Sequence, residues 1–415
     1  MTGALQAQFD AALGALCPRG LSRLGLAVSG GSDSVALMRL AHMWMDRLDL
    51  QVVTLDHGLR PEAAFEAEQV ARQAKSLGMT AKVLRWNGWD GRGNLQDAAR
   101  RARQRLIADW ARSAGIEAVA LGHTLDDQAE TLVMRLARGS GVDGLGAMAP
   151  ARQAKGVLWL RPLLDMRRAD LRAWLSAQGI GWIEDPSNFD QGFTRTRARE
   201  ALTQLAQLGL TPERLARTAH QMRAARDVLD AAAQQAARAI MQRAHGDLVF
   251  DAEGLDALPE DTRARLVAQA LCEIASNRYR PRLAALSRAL TAPRAALHGC
   301  LLIRHKGQLR ITREPRVVRD LRVGLHDVWD QRWRIEPRNP EMVGDDTREL
   351  QIGALGEDGL AACPDRALWQ VPRCSLPASP ALWHGTRLIA APLAGFAPQW
   401  RAKLVNPAEL SVLQG

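Results

Sequence analysis

Short apolar runs alternate with amphipathic stretches through the first half of the chain. Leu24-Gly25-Leu26-Ala27-Val28 is the first run, and an amphipathic stretch from Val35 to Arg47 follows it. Val52 to Leu55 then reads as a strand, Glu62 to Leu77 as a helix closed by Gly78, and Ala81 to Leu84 as a strand. Leu95 to Ala114 reads as a long basic helix closed by Gly115, Ala118 to Leu121 as a strand and Asp126 to Leu136 as a helix. Brief apolar runs between helical patterns predict successive βα units. Such a succession folds into a parallel sheet with helices on both faces. Ligands of these sheets bind beyond the carboxyl ends of the strands. Polar residues stand at those ends: Ser29 after the first strand, Asp56-His57 after the second, Gly122-His123 and Arg161 after later ones.

The alternation stops after about Leu208. Gly209-Leu210-Thr211-Pro212 is a break, with Pro212 suited to a helix start. Glu213 to Arg243 reads as one or two long Ala-rich helices, and Thr262 to Ser276 and Pro281 to Leu290 as further helices. From about Cys300 short strands take over: Leu301 to Arg304, Leu309 to Ile311 and later Leu388 to Ala391. A chain of 415 residues exceeds one ordinary domain. Three regions are expected: an α/β domain over residues 1–208, a helical region over 209–298 and a small mixed or β-rich region over 299–415. Trp329, Trp333, Trp369, Trp383 and Trp400 lie in the last and read as core.

Composition narrows the picture. The hydrophobic share of 47% suits globular cores. No run reaches the roughly 18 apolar residues of a membrane span. Met1 to Leu16 lacks a basic leader and reads as an amphipathic helix. The five cysteines, Cys17, Cys272, Cys300, Cys363 and Cys374, form no CxxC pair, so reduced thiols and a cytoplasmic location are expected. The net charge is +10, nearly all of it from Arg, which suits a polyanionic partner. Nine arginines and four carboxylates lie between Arg195 and Arg243, making that helical arm the candidate for RNA backbone contact.

The segment Ser29-Gly30-Gly31-Ser32-Asp33-Ser34 lies between the first strand and its helix. Paired glycines let backbone approach a ligand, and amides at a helix N-terminus favour an anion. Ser29, Ser32 and Ser34 add hydroxyls, and Asp33 can hold Mg2+ against phosphate oxygens. The segment reads as a pyrophosphate cradle. It has neither the Lys-Ser/Thr of a P-loop nor the G-x-G-x-x-G of a dinucleotide fingerprint.

A second cluster is Gly122-His123-Thr124-Leu125-Asp126-Asp127-Gln128-Ala129-Glu130-Thr131. Asp126 and Asp127 fall in the first turn of a helix, where carboxylates cap; facing the cradle, they can bind Mg2+ or receive an amine. Arg135 and Arg138 share a helix face and can clamp a phosphate or complement the helix C-terminus. Glu184-Asp185-Pro186-Ser187-Asn188-Phe189-Asp190 and the alternate arginines Arg195, Arg197 and Arg199 form a third segment, suited to fold over a nucleotide or RNA phosphate.

The cradle resembles the PP-loop of ATP pyrophosphatases, which split ATP between its α and β phosphates. Asp56-His57-Gly58-Leu59-Arg60, Asn94-Leu95-Gln96 with Ala99-Arg100, Gly122 to Thr131, Arg138-Gly139-Ser140-Gly141 with Gly144-Leu145, Arg161-Pro162-Leu163-Leu164 and Asp185-Pro186-Ser187-Asn188 occur in the order of the tRNA(Ile)-lysidine synthetase family, which they resemble over about residues 22 to 200. The resemblance implies a ligase that uses ATP to adenylate the carbon-2 oxygen of the wobble cytidine of tRNA(Ile) with a CAU anticodon. Free L-lysine then displaces AMP to give lysidine. It implies Mg2+ at Asp33, the lysine amine at Asp127, with Asp126 as the alternative, and His123 and Arg195 at the adenylate phosphate. It leaves a homodimer open. Two departures stand out. The family's Arg-Asn-x-x-Arg is here Arg195-Thr196-Arg197-Ala198-Arg199, and Gln104 stands near a customary Tyr.

Two alternatives share the cradle. A PP-loop tRNA thiolase needs catalytic thiols, and no cysteine lies between Cys17 and Cys272. A small-molecule amide-forming ligase accords less well with a basic chain bearing a basic helical arm.

Overall fold

The computed structural model describes residues 2–58, 62–86, 88–89, 95–184, 194–277, 279–339 and 349–405. Leu59, Arg60, Asn94 and the segment 185–193 of the motifs above lie outside the described residues. The chain divides into two compact units, Met1–Arg226 and Asp227–Gly415.

The first unit opens with α1 (Thr2–Leu16), β1 (Arg23–Ala27) and α2 (Ser32–Ala41). β2 (Asp49–Asp56), α3 (Ala63–Ser76), β3 (Thr80–Arg85), α4 (Leu95–Ser113), β4 (Ala118–Leu121) and α5 (Leu125–Leu136) follow, close to the periodicity's expectation. Next come the short α6 (Val142–Leu145), β5 (Ala151–Ala154), β6 (Val157–Leu160), α7 (Arg168–Ala177), α8 (Thr194–Ala206) and α9 (Pro212–Ile240). The sheet order is β3-β2-β1-β4-β6-β5, parallel except for the β5–β6 hairpin at one edge. The order reverses between β1 and β4, so the ligand crevice of this sheet opens beyond their carboxyl ends.

Alternation along each strand builds both faces. Leu24, Leu26, Val52, Ala118 and Ala120 point to one core with Phe9 and Leu13 of α1, Leu37 and Met38 of α2, Val70 of α3 and Leu171 and Leu175 of α7. Ala27, Val53 and Val119 point the other way, to Ile107, Ala108 and Ala111 of α4. α2 is buried nearly all round, which explains its run of Val35 to Ala41 with one Arg. A third cluster joins α5, α8 and α9 through Ala129, Leu132, Leu202, Leu215 and Ala219. The expected arm from Arg195 to Arg243 spans α8, the single long α9 and the start of the strand that follows it, and the boundary between the two units falls within α9.

In the second unit, β7 (Met241–Ala244), β8 (Asp247–Asp251), β9 (Arg294–Leu297), β10 (Cys300–His305) and β11 (Gln308–Arg313) form an antiparallel sheet ordered β7-β8-β11-β10-β9. α10 (Ala252–Asp256), α11 (Glu260–Ile274) and α12 (Leu283–Thr291) lie between its strands in sequence. The boundary expected between residues 298 and 299 falls inside this sheet, between β9 and its neighbour β10. Strands from Arg322 onward form two further antiparallel sheets. Their core holds Trp329, Trp333, Trp383 and Trp400, with Trp369 packed against it. No helix among the described residues is long and apolar enough to cross a membrane.

Candidate active site

Val28 continues β1 by donating its N–H to Val53 O (2.9 Å), and the chain then turns through Ser29-Gly30-Gly31 into α2. Gly30 has φ +89°, and a Cβ there would lie 2.5 Å from Ile183 Cδ1. The Gly30 carbonyl instead accepts the Ile183 N–H (2.9 Å). A Cβ on Gly31 would meet nothing within 4 Å, so this glycine keeps the outer side of the loop open. Ser34 Oγ donates to Gly31 O (2.9 Å) and accepts from Ser29 N–H (3.1 Å), tying the two ends of the loop together. Ser34 therefore shapes the cradle from within. The Ser34 and Val35 amides donate back to Gly31 O (3.0 Å each), and the start of α2 so formed favours an anion.

Asp33 stands in the first turn of α2. Its Oδ1 accepts from Ser32 Oγ (3.2 Å) and its Oδ2 from Arg168 Nε (2.8 Å). Burial pushes this carboxyl above its ordinary pKa, against the pull of Arg168. Arg172 Nε donates to Ser32 Oγ (3.1 Å).

The facing wall begins at Gly122, after β4. A Cβ on Gly122 would lie 3.0 Å from both Asp33 O and Ser34 Cα, tighter than an ordinary contact, so a side chain here would press against the first turn of α2. Thr124 caps α5 in a capping box: Asp127 N–H donates to Thr124 Oγ1 (3.4 Å), and Thr124 N–H donates to Asp127 Oδ2 (2.9 Å). Thr124 Oγ1–H also donates to Asp127 Oδ2 (3.1 Å). The other oxygen, Asp127 Oδ1, lies 3.2 Å from Arg168 Nη2. Asp127 is only 6% exposed. Burial works against its charge, but Arg168 and the Thr124 amide together hold the carboxyl below its ordinary range. Capping and site chemistry thus use different oxygens of one side chain.

Asp126 points elsewhere. Its Oδ2 accepts the Arg168 backbone N–H (2.7 Å), capping α7, and its Oδ1 lies 3.6 Å from Arg167 Nε. Glu130, one turn along α5 and 1% exposed, accepts Arg199 Nε (2.6 Å) and Arg168 Nη1 (3.3 Å) on Oε1. Its Oε2 is buried with no hydrogen-bond partner among the described residues.

His123 separates this acidic cluster from a basic one. Its Nδ1 accepts from Arg161 Nε (3.2 Å), which fixes the imidazole as neutral at that nitrogen. Burial, together with Arg161, Arg195 and Arg103, depresses the imidazole to about 3, outweighing the opposing pull of Asp127. Arg161 itself is brought down to about 10 by burial and by Arg152, Arg100 and Arg223. Arg103 on α4 is lowered by burial and by Arg100 and Arg195. Burial and neighbouring arginines thus lower both Arg161 and Arg103, and positive charge concentrated in this way favours an anion. Arg135 serves the scaffold instead: it donates to the carbonyls of Gly144 and Ala147 in the glycine-rich turn.

The crevice offers oxygen ligands to a hard cation. No group of three or more His, Cys, Asp or Glu among the described residues could cage one. Asp33, with Ser32 beside it, fits the way Mg2+ binds, through one carboxylate with phosphate oxygens completing its shell. The expected residues Ser29 to Ser34, His123, Asp127 and Arg195 therefore gather around one crevice, while Asp126 is turned to α7.

Arg168 escaped the reading of the sequence, although a signal was present. Arg167 and Arg168 start a helix, where cations oppose the dipole, and such local conflicts cluster at functional sites. Glu130 was visible only as one letter of a motif.

These features define a PP-loop domain, and the model of that domain matches residues 2–206. A tRNA(Ile)-lysidine synthase of Ruegeria pomeroyi is 45% identical over 411 residues, 98% of this chain and 95% of that protein. One of Methylobacterium nodulans is 43% identical over 304 residues, 70% of this chain and 90% of that protein. The chain belongs to the tRNA(Ile)-lysidine synthase family. Among solved structures, the U34-tRNA thiolase NcsA of Methanococcus maripaludis is 14% identical, with a TM-score of 0.46 over 53% of this chain and 78% of that one. That likeness is too slight to bear on function.

Two predictions follow from this geometry. Gly122→Ala drives a methyl group onto backbone and should cost about 1–3 kcal/mol in urea unfolding, whereas Gly31→Ala should cost far less yet impair pyrophosphate release. Equal stability losses would contradict the close approach at Gly122. His123 titrates near 6.5 in the unfolded chain and about 3 when folded, so the unfolded state binds the extra proton between those values. Its contribution to stability is present above about pH 6.5 and is lost as pH falls toward 3; His123→Asn should flatten that part of the unfolding profile.

Proposed function

We propose that the protein joins L-lysine to carbon 2 of the wobble cytidine of tRNA(Ile) bearing a CAU anticodon, using ATP and releasing AMP and pyrophosphate. The observation that carries this reading is the juxtaposition of a phosphate cradle with a buried acidic cluster, Asp127 and Glu130, across the sheet crevice. The family assignment supports the RNA substrate and the product.

In the first step the cytidine O2 attacks the α-phosphorus of ATP, and pyrophosphate leaves. The α2 N-terminus and the Ser29 to Ser34 loop receive the departing charge. Asp33 and Ser32 would hold Mg2+, which supplies further neutralisation on the phosphate oxygens. Arg103, Arg161 and Arg195 form the cationic side on which the adenylate phosphate rests, with neutral His123 as a hydrogen-bonding neighbour. In the second step the ε-amine of lysine attacks C2 and AMP leaves with the C2 oxygen. The ammonium must first lose a proton. Asp127 Oδ1 and Glu130 Oε2 are the acceptors that bind it, and Asp127 takes the proton.

The thiol-dependent alternative has no support in this crevice. Cys17 follows α1 and packs against the sheet core, where burial raises its thiol pKa, the reverse of an activated nucleophile. The basic run from Arg195 to Arg243 supports contact with the tRNA backbone, and a homodimer rests on the family resemblance alone.

The test is incubation with ATP, MgCl2, labelled L-lysine and tRNA(Ile) transcript. Label should be retained on the RNA, with one pyrophosphate released per lysine. Asp33→Ala should abolish pyrophosphate release. Asp127→Ala should leave adenylated tRNA accumulating while lysine transfer falls by about a hundredfold or more; an equal loss of both steps would remove the amine-binding role. Cys17→Ser should retain full activity, and an inactive variant would revive thiol chemistry.

A further inference from the structure

We propose that Arg168 is a positioning residue whose guanidinium holds Asp33 and Asp127 at a shared cation position, and yields that position to Mg2+ and to the lysine ammonium. This deepens the reading above and rests on it.

One oxygen of each carboxylate is already committed. Asp127 Oδ2 is engaged by the capping box, and Asp33 Oδ1 accepts from Ser32. The remaining oxygen of each, Asp127 Oδ1 and Asp33 Oδ2, meets Arg168, at 3.2 Å and 2.8 Å. Glu130 Oε1 meets the same guanidinium at 3.3 Å. One side chain therefore bonds carboxylates from both walls of the crevice, α2 behind β1 and α5 behind β4. Its planar fork places one nitrogen toward each of the three carboxylates. Nothing in α7 itself calls for a cation at its first residue, where the dipole disfavours one. Its backbone is fixed there by Asp126, which accepts the Arg168 N–H.

Charge then dictates the consequence. Asp33, Asp127 and Glu130 face two paired guanidiniums, Arg168 and Arg199. Any cation bound by Asp33 Oδ2 or Asp127 Oδ1 shares that oxygen with Arg168 or replaces it. Removing the guanidinium leaves the carboxylates uncompensated and more attractive to an entering cation, but no longer aligned. Affinity and turnover should then move in opposite directions, which a merely structural role would not produce.

The experiment titrates free L-lysine calorimetrically into full-length wild type, Arg168→Gln and Asp127→Asn proteins, and follows Tm against MgCl2. Arg168→Gln should bind lysine about tenfold more tightly than wild type and show the larger Mg2+-induced rise in Tm. Its turnover of tRNA should fall about a hundredfold. In wild type, the Arg168 Nε–H resonance should move on adding either cation, a readout that needs no folded variant. Lysine affinity in Arg168→Gln equal to or below wild type, an unmoved resonance, or no lysine binding by any of the proteins overturns the proposal. Loss of lysine binding in Asp127→Asn alongside unchanged affinity in Arg168→Gln removes only the role of Arg168. Unchanged binding in Asp127→Asn removes the amine site as well.

Discussion

Everything at this site depends on how closely the carboxyl ends of β1 and β4 approach one another. The two strands pair in parallel, and the loops that leave them meet backbone to backbone where Gly122 touches Asp33 and Ser34. That contact brings the first turn of α2 beside the first turn of α5. A phosphate cradle and an acidic cluster, each an ordinary helix N-terminus, become one crevice. A side chain at residue 122 would press the two walls apart.

Within the crevice, charge is sorted into two poles about a neutral imidazole. On one side Asp33, Asp127 and Glu130 surround Arg168. On the other, Arg103, Arg161 and Arg195 all act on His123, and burial with repulsion from neighbouring arginines lowers Arg103 and Arg161. His123 belongs to neither pole, because its neighbours and its burial remove its charge. Such an arrangement suits a reaction in which an anion is held at one end and a cation must be discharged at the other. In the second unit, buried arginines bond within the fold. Arg313 bonds Asp330 through two nitrogens at 2.9 Å each, and Arg332 donates to the carbonyls of Ile274 and Gly246.

The parts legible in the sequence were those with a local cause. The βα rhythm follows from strict alternation of apolar runs and amphipathic helices, and the cradle from paired glycines between them. Asp127 was legible as a cap or as a site residue; it caps α5 through Oδ2, while Oδ1 meets Arg168. What stayed hidden was set by tertiary pairing. The β5–β6 hairpin is too short to leave a periodic trace. The position of Arg168 depends on α7 folding back against α2, a contact far apart in sequence. The sheet spanning residues 241–313 interleaves strands with helices, so a change in composition near Cys300 marked no structural border.

The most direct measurement of the central claim is mass spectrometry of the anticodon fragment of tRNA(Ile) after reaction with ATP, Mg2+ and L-lysine. The account predicts a wobble nucleoside heavier than cytidine by one lysine less one water, and formed only when ATP is present. An unmodified wobble cytidine, or one carrying sulfur, would contradict it.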